Sequence, residues 1–457
     1  MKEETIPPPV SPRSGIRGVV WPALPARKDA LLLSLLQQFE LSQWWRPEQM
    51  LRIQLLQAGN LLQHARRLVP FYRERLSVLD GLGRGKKLTM DEFRRIPLLG
   101  KEEIQAAGGG IISRTLPRGH GRMFDVSTSG STGRPLVVKG TAVTGLYLAA
   151  LTLRGHHWHR RDFTGRNLTL RMIDKPSPPR PWAPAYRTGP GYVEDISQPV
   201  GTILEKMAKI DPHYFQSHPS VLRELIRHSA KTGVRPKSIR EVRTYGEAVD
   251  GSLFEACMET WGVPVTDIYS AQELNTIAHQ CREERNLHVQ GESLLVEVLD
   301  AGGNPCGPGE TGRVVVTTLQ NFGTPLIRYD LGDYAEVGGP CPCGRGLLVL
   351  KRIVGRERNL VVLPGGEHVH PNFDEKAILK LAPVRQYQLV QTSLENITMT
   401  AVSDAPLTKN QMKALAAHFA KAFGHSFQFE FVHKTEDLRV PGKKFELFRS
   451  EIGDKSD

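Results

Sequence analysis

The alternation of apolar and polar positions divides the chain into segments of different period. From Asp29 onward, Leu31, Leu32, Leu35, Leu36 and Phe39 recur at helical spacing. Leu51, Ile53, Leu55 and Leu61 continue the pattern, which predicts a helical region ending near Val69-Pro-Phe-Tyr72. Residues 1–28 hold six prolines and no periodicity, so a loosely ordered arm is expected there. Beyond residue 135 the pattern alternates. A helix is expected over 142–156, a strand over 167–172, and a proline-rich loop over 176–190 that has the composition of a mobile lid. Pro219, the apolar face Val221/Leu222/Leu225/Ile226 and Gly233 signal a helix with both ends marked. Strands are expected over 240–245, 263–269, 294–299 and 312–318, with strand–helix alternation giving way to a more continuous β stretch from 285 to 337. The last ninety residues read as a small α+β unit, with strands over 386–390, 397–402 and 427–431 and a helix over 409–423. The expected organisation is an α/β chain: an arm over 1–28, a large body of mixed sheets and helices over 29–354, and a small mobile α+β domain over 355–457.

Composition narrows the function classes. The chain has 457 residues, a length that calls for more than one core. A formal charge of +12 suits polyanions or phosphorylated small molecules. The basic residues are scattered apart from His156-His-Trp-His-Arg-Arg161, with no continuous stripe, which argues against nucleic acid. No run of about 18 apolar residues and no signal-like stretch after Met1 is seen, so a cytoplasmic chain without a membrane span is expected. Five cysteines do not form a disulfide framework.

Candidate chemistry concentrates first in Ser127-Thr128-Ser129-Gly130-Ser131-Thr132-Gly133-Arg134-Pro135. Its glycines let backbone N–H groups turn inward, and its hydroxyls and guanidinium complete an anion cradle. The glycine spacing is too short for the nucleotide P-loop, and a flexible linker is the bland alternative. Cys281, His288, Cys341 and Cys343 supply three thiolates and an imidazole, a closed tetrahedral set of the kind zinc occupies for stability. Reduced thiols are the alternative, with His279 a possible substitute ligand. Cys257, inside a helical apolar pattern, is expected to pack.

Further phrases gain meaning as an ordered set: Thr244-Tyr-Gly246-Glu247-Ala248, Asp267-Ile-Tyr269, Glu273, Arg328-Tyr-Asp-Leu-Gly-Asp333, Ile353-Val-Gly-Arg356 and Val440-Pro-Gly-Lys443-Lys444-Phe445. With Val69-Pro-Phe-Tyr-Arg-Glu-Arg and Gly309-Glu-Thr-Gly-Arg, they resemble the adenylate-forming superfamily of acyl-CoA synthetases. The nearest likeness is to phenylacetate–coenzyme A ligases and their capsule-biosynthesis-type relatives, over roughly residues 65–450. The resemblance implies ATP-dependent conversion of a carboxylic acid to an acyl-adenylate, then transfer to coenzyme A, with a carrier-protein thiol or an amine as alternative acceptors. A non-catalytic nucleotide binder is the other class considered.

By the same resemblance, the 127–134 cradle holds phosphates, Gly246, Glu247 and Ala248 line the adenine, and Tyr269 stacks on it. Glu273 positions Mg²⁺, Asp333 takes the ribose hydroxyls, Arg356 assists, and Thr132 with Lys444 or Lys443 act in catalysis. The resemblance leaves homodimers possible. Departures are Arg134 for lysine, Ser270 and Gln272 beside Glu273, and Arg358-Asn359 at the hinge. His157, Trp158, Trp182, Tyr186 and Tyr192 are candidates for an aryl pocket, or for loop packing.

Overall fold

The computed structural model describes residues 12–80, 87–128, 135–175, 177–249, 251–356, 359–369, 375–436, 438 and 446–452. Helix Arg27–Ser42 lays Leu32, Leu36 and Phe39 against Ala150, Leu151 and Leu153 of helix Ala142–Trp158. Helix Pro47–Leu68 starts on a proline, whose missing N–H costs nothing at a helix start. It buries Ala58, Leu61, Leu62 and Ala65 in the main core.

One sheet of twelve strands runs through the body. In one half, Asn167–Arg171, Tyr214–Ser217, Glu241–Tyr245 and Val265–Ala271 are parallel neighbours. Helices Val200–Ile210, Pro219–Thr232 and Gly251–Trp261 alternate with these strands and pack on them around Phe215, Leu222, Leu253 and Trp261. Parallel pairing demands such crossovers, which is why the sequence alternates here. In the other half the chain meanders, and Asn275–Gln280, Leu287–Val289, Val349–Arg356, Tyr329–Val337, Thr311–Thr318 and Leu294–Leu299 pair antiparallel. After Arg356 a separate four-stranded sheet packs on helix Lys409–Phe423 around Tyr387, Leu389, Leu415 and Phe419. Thr408 caps that helix by accepting from the Gln411 N–H, and Gly424 ends it at φ 68°.

Two expectations are corrected. The arm is ordered from residue 12: the Arg13 N–H donates to the Ala185 carbonyl at 2.8 Å, and a ladder contact joins Pro12 to Tyr186. The proline-rich stretch is not a free lid among its described residues. Ala183, Ala185 and Tyr186 are buried, and the Trp182 indole donates to the Gly165 carbonyl at 2.9 Å, so aromatic burial outweighs what the prolines suggest.

Buried Arg328 anchors the strand that follows it. Its guanidinium donates to Glu297 at 2.9 and 3.2 Å and to the carbonyls of Arg94 and Ile96 at 2.5 and 2.6 Å. Arg328→Met strands a carboxylate and two carbonyls, and should destabilise the fold by about 3–5 kcal/mol. Urea denaturation tests this, and the double variant Arg328→Met/Glu297→Leu should recover part of the loss.

Candidate active site

Strand order assembles a carboxylate–tyrosine–arginine group from three places in the chain. Asp333 faces Arg356 across an antiparallel pair, with Arg356 Nε 3.5 Å from Asp333 Oδ1. The Tyr269 hydroxyl donates to Asp333 Oδ2 at 2.8 Å, and the Tyr329 hydroxyl donates to Glu273 Oε1 at 3.1 Å. Burial first, and then the carboxylate each one serves, push both phenols far above their ordinary value. They are therefore permanent donors that fix the orientation of the two acids. Tyr269 lies in the main core, with its ring packed and its hydroxyl at the site.

Two strands flank the Ser/Gly run and form an antiparallel pair, called the hairpin below. Met123–Ser127 pairs with Val137–Thr141, with Ser127 opposite Val137. The Thr128 N–H donates to the Leu136 carbonyl, and the Leu136 N–H donates to Thr128 Oγ1, both at 2.9 Å. Residues Ser129, Gly130, Ser131, Thr132, Gly133 and Arg134 lie outside the described residues, as do Lys443 and Lys444. The hairpin seats on the body where a side chain at Gly323 would sit 2.8 Å from the Lys139 carbonyl oxygen, so glycine is required for the contact. Between the hairpin, helix Ala142–Trp158 and Glu273 lies a cavity of about 60 Å³, lined by Phe124, Val138, Gly140, Thr144, Gln272 and Glu273 among others.

At the C-terminal ends of the parallel strands, Thr244 is in register with Asp267, and Gly246 turns the chain at φ 79°. Open α/β sheets take ligands at this edge. Glu247 accepts from the Ser220 N–H and hydroxyl at 2.9 and 3.1 Å, which secures the turn, while Ala248 is exposed. Removal from water pushes the Asp267 carboxyl up to about 7, against hydrogen bonds from Thr244 and the Ile268 N–H.

A second cluster is built on strand Leu287–Val289 and the turns next to it. The ligand atoms of Cys281, His288, Cys341 and Cys343 all fall within 4.8 Å of one another. Cys341 Sγ is 3.8 Å from Cys281 Sγ, and Cys343 Sγ is 3.3 Å from His288 Nε2. The edges of a tetrahedron with metal–sulfur bonds of about 2.3 Å are about 3.8 Å, so these residues fit a four-coordinate ion. Burial, followed by the charges of Arg345 and Arg154, lowers the His288 imidazole to about 4 and leaves it neutral. His279 is not part of this cluster; its Nε2 lies 3.0 Å from the Leu151 carbonyl oxygen. Cys257 is buried in helix Gly251–Trp261 as expected.

The aromatic candidates serve packing. Trp182 and Tyr186 flank Phe163 at 5.2 and 4.9 Å between ring centroids, and Trp158 lies between Arg345 and His288 at 4.3 and 5.7 Å. Tyr192 packs on the core of the parallel half. Sequence reasoning missed the roles of Tyr329 and Arg345, and only the Arg-Tyr and Cys-x-Cys-Gly-Arg phrases hinted at them.

No family model matches the chain. Phenylacetate-coenzyme A ligase of Thermus thermophilus is 30% identical over 187 residues, which is 39% of this chain and 42% of that protein. The chain thus matches less than half the length of that relative. Protein CapK of Staphylococcus aureus is 21% identical over 378 residues, 79% of this chain and 82% of that one. Among solved structures, 2-hydroxyisobutyryl-CoA ligase in the postadenylation state with R3-HIB-AMP superimposes with a TM-score of 0.71 at 18% identity, over 87% of this chain and 89% of that one. The same ligase in the thioesterification state gives 0.59. The fold is therefore that of adenylate-forming ligases.

With its raised carboxyl, Asp267 stabilises the fold most below its unfolded value near 4, and that contribution is lost as pH rises through about 7. Asp267→Asn should therefore gain stability relative to the parent between pH 4 and 7 and change little above, as read from thermal midpoints across that range.

Proposed function

We propose that this chain, phenylacetate–coenzyme A ligase-like in sequence and adenylate-forming in fold, activates a carboxylic acid with ATP and passes the acyl group to coenzyme A. The observation that carries the reading is the Asp333–Arg356–Tyr269 group together with Glu273–Tyr329, where Glu273 lines a cavity shared with the two strands that flank the Ser/Gly run. A carboxylate oxygen attacks the α-phosphorus of ATP, the bond to the β-phosphate breaks, and pyrophosphate leaves. The thiol sulfur then attacks the acyl carbon, the carbon–oxygen bond to AMP breaks, and the thiol proton passes to solvent.

Both steps gather negative oxygens, so fixed donors matter most. Ser127, Thr128, Ser129, Gly130, Ser131, Thr132, Gly133 and Arg134 hold the outer phosphates. Gly246, Glu247, Ala248 and Asp267 receive the base, while Asp333 and Arg356 receive the ribose. Glu273, oriented by Tyr329, would hold Mg²⁺, a hard cation that neutralises phosphate charge. Lys444, in preference to Lys443, reaches the α-phosphate. The cavity beside Glu273 is the place this reading gives to the acyl group. In this reading zinc sits on Cys281, His288, Cys341 and Cys343 as a structural ion.

Carboxylate-dependent exchange of labelled pyrophosphate into ATP over a panel of short, branched and aryl acids tests the reaction. Exchange with one class is expected, and none from any acid would favour the non-catalytic class. Lys444→Ala should abolish exchange while ATP binding stays within about twofold, because the lysine acts on charge that develops in the transition state. A dead Lys443→Ala beside an active Lys444→Ala would reverse the choice of lysine.

Emission spectroscopy should find about one zinc per chain. Cys341→Ser should lower both zinc content and the melting temperature, and unchanged zinc stoichiometry would overturn the metal assignment.

A further inference from the structure

The N-terminal arm takes no part in the chemistry above, yet it is built. The Gly15 N–H donates to the Leu24 carbonyl at 2.7 Å, and Ser14 Oγ lies 3.4 Å from both the Leu24 N and O atoms. These bonds close residues 15–24 into a loop. At its neck, a side chain on Gly15 would sit 2.9 Å from the Ala26 nitrogen, so the loop rests directly on the chain entering helix Arg27–Ser42. The other side of the neck is fixed to the body through Arg13 and Ala185.

A closed loop ordinarily folds its apolar side chains inward or onto the body, and this one turns them out. Ile16, Val20, Trp21 and Leu24 are 55%, 61%, 72% and 55% exposed, and Leu31 on the first turns of the helix is exposed beside them. Arg17, Arg27 and Lys28 are exposed around the same patch and have no carboxylate partner among the described residues. Arg13 is paired with Asp29 at 3.4 Å. The surface is thus an exposed apolar loop with Trp21 its most exposed large apolar side chain, flanked in the chain by cations that have no carboxylate partner among the described residues.

We propose that this loop docks the protein onto an anionic phospholipid surface. Tryptophan favours the boundary between headgroups and acyl chains, aliphatic neighbours enter beneath it, and flanking arginine and lysine meet lipid phosphates. Charge decides against a second copy of the chain. An isologous contact on this patch would bring Arg17, Arg27 and Lys28 against their own equivalents.

Flotation of the full chain with vesicles of phosphatidylcholine, alone or mixed with phosphatidylglycerol, tests the assignment. The protein should float with the mixed vesicles at low salt, release as salt rises, and stay behind with phosphatidylcholine alone. Val20→Ser/Trp21→Ser and, separately, Arg17→Glu/Arg27→Glu/Lys28→Glu should each weaken binding by about tenfold or more while keeping the parent's cooperative melt. Failure of the parent to float with anionic vesicles, or flotation of both variants at parental levels, overturns the proposal. So does a concentration-dependent dimer that Trp21→Ser abolishes, which would give the loop to a second copy.

Discussion

Arg328 is the constraint from which the site geometry follows. A buried guanidinium has to be surrounded by acceptors, and here Glu297 supplies two and the carbonyls of Arg94 and Ile96 supply the others. The backbone at Arg328 sits at φ 48°, and its carbonyl accepts from the Leu99 N–H at 2.8 Å. Strand Tyr329–Val337 therefore leaves a fixed point in a fixed direction. The next residue, Tyr329, reaches Glu273, and Asp333 falls opposite Arg356 within reach of Tyr269. Two acids from distant stretches are aligned by one buried cation that touches neither.

The cysteine–histidine cluster does comparable work for the N-terminal helices. Arg345, two residues past Cys343, stacks on Trp158 and donates to Gln43, which also accepts from the Trp158 indole at 2.7 Å. Arg154 joins the same interior, donating to Gln290 and Glu292, and Ser42 donates to Glu292 at 2.6 Å. The end of helix Arg27–Ser42 is thus secured to the segment carrying Cys341 and Cys343 by buried and part-buried polar bonds, which are stronger there than at the surface.

What was readable in the sequence follows from how local each signal is. Strand Leu294–Leu299 and helix Lys409–Phe423 match their expected limits, and helix Pro219–Thr232 starts and stops on its proline and Gly233, because period and caps are written in neighbouring residues. That Cys281, His288, Cys341 and Cys343 form one group was also legible, since few other thiols and imidazoles lie in that β region. Long-range partners were not. Nothing near Tyr329 in the chain reveals Glu273, 56 residues away, and nothing near Tyr186 reveals that the arm docks against it. For the aromatics of 157–192 the sequence leaves pocket wall and loop packing open, because large rings serve both, and burial against helix Arg27–Ser42 and Phe163 claims several of them for packing.

The two locked phenols have a consequence for the proton inventory of the site. Burial and the neighbouring carboxylates push Tyr269 and Tyr329 upward, so both phenols keep their hydrogens around neutral pH. The donors that orient Asp333 and Glu273 are therefore the same at pH 5 as at pH 8. Asp267, at about 7, behaves differently. Acidification is registered beside Thr244, at the turn that follows the parallel strand, and the two phenols do not respond to it.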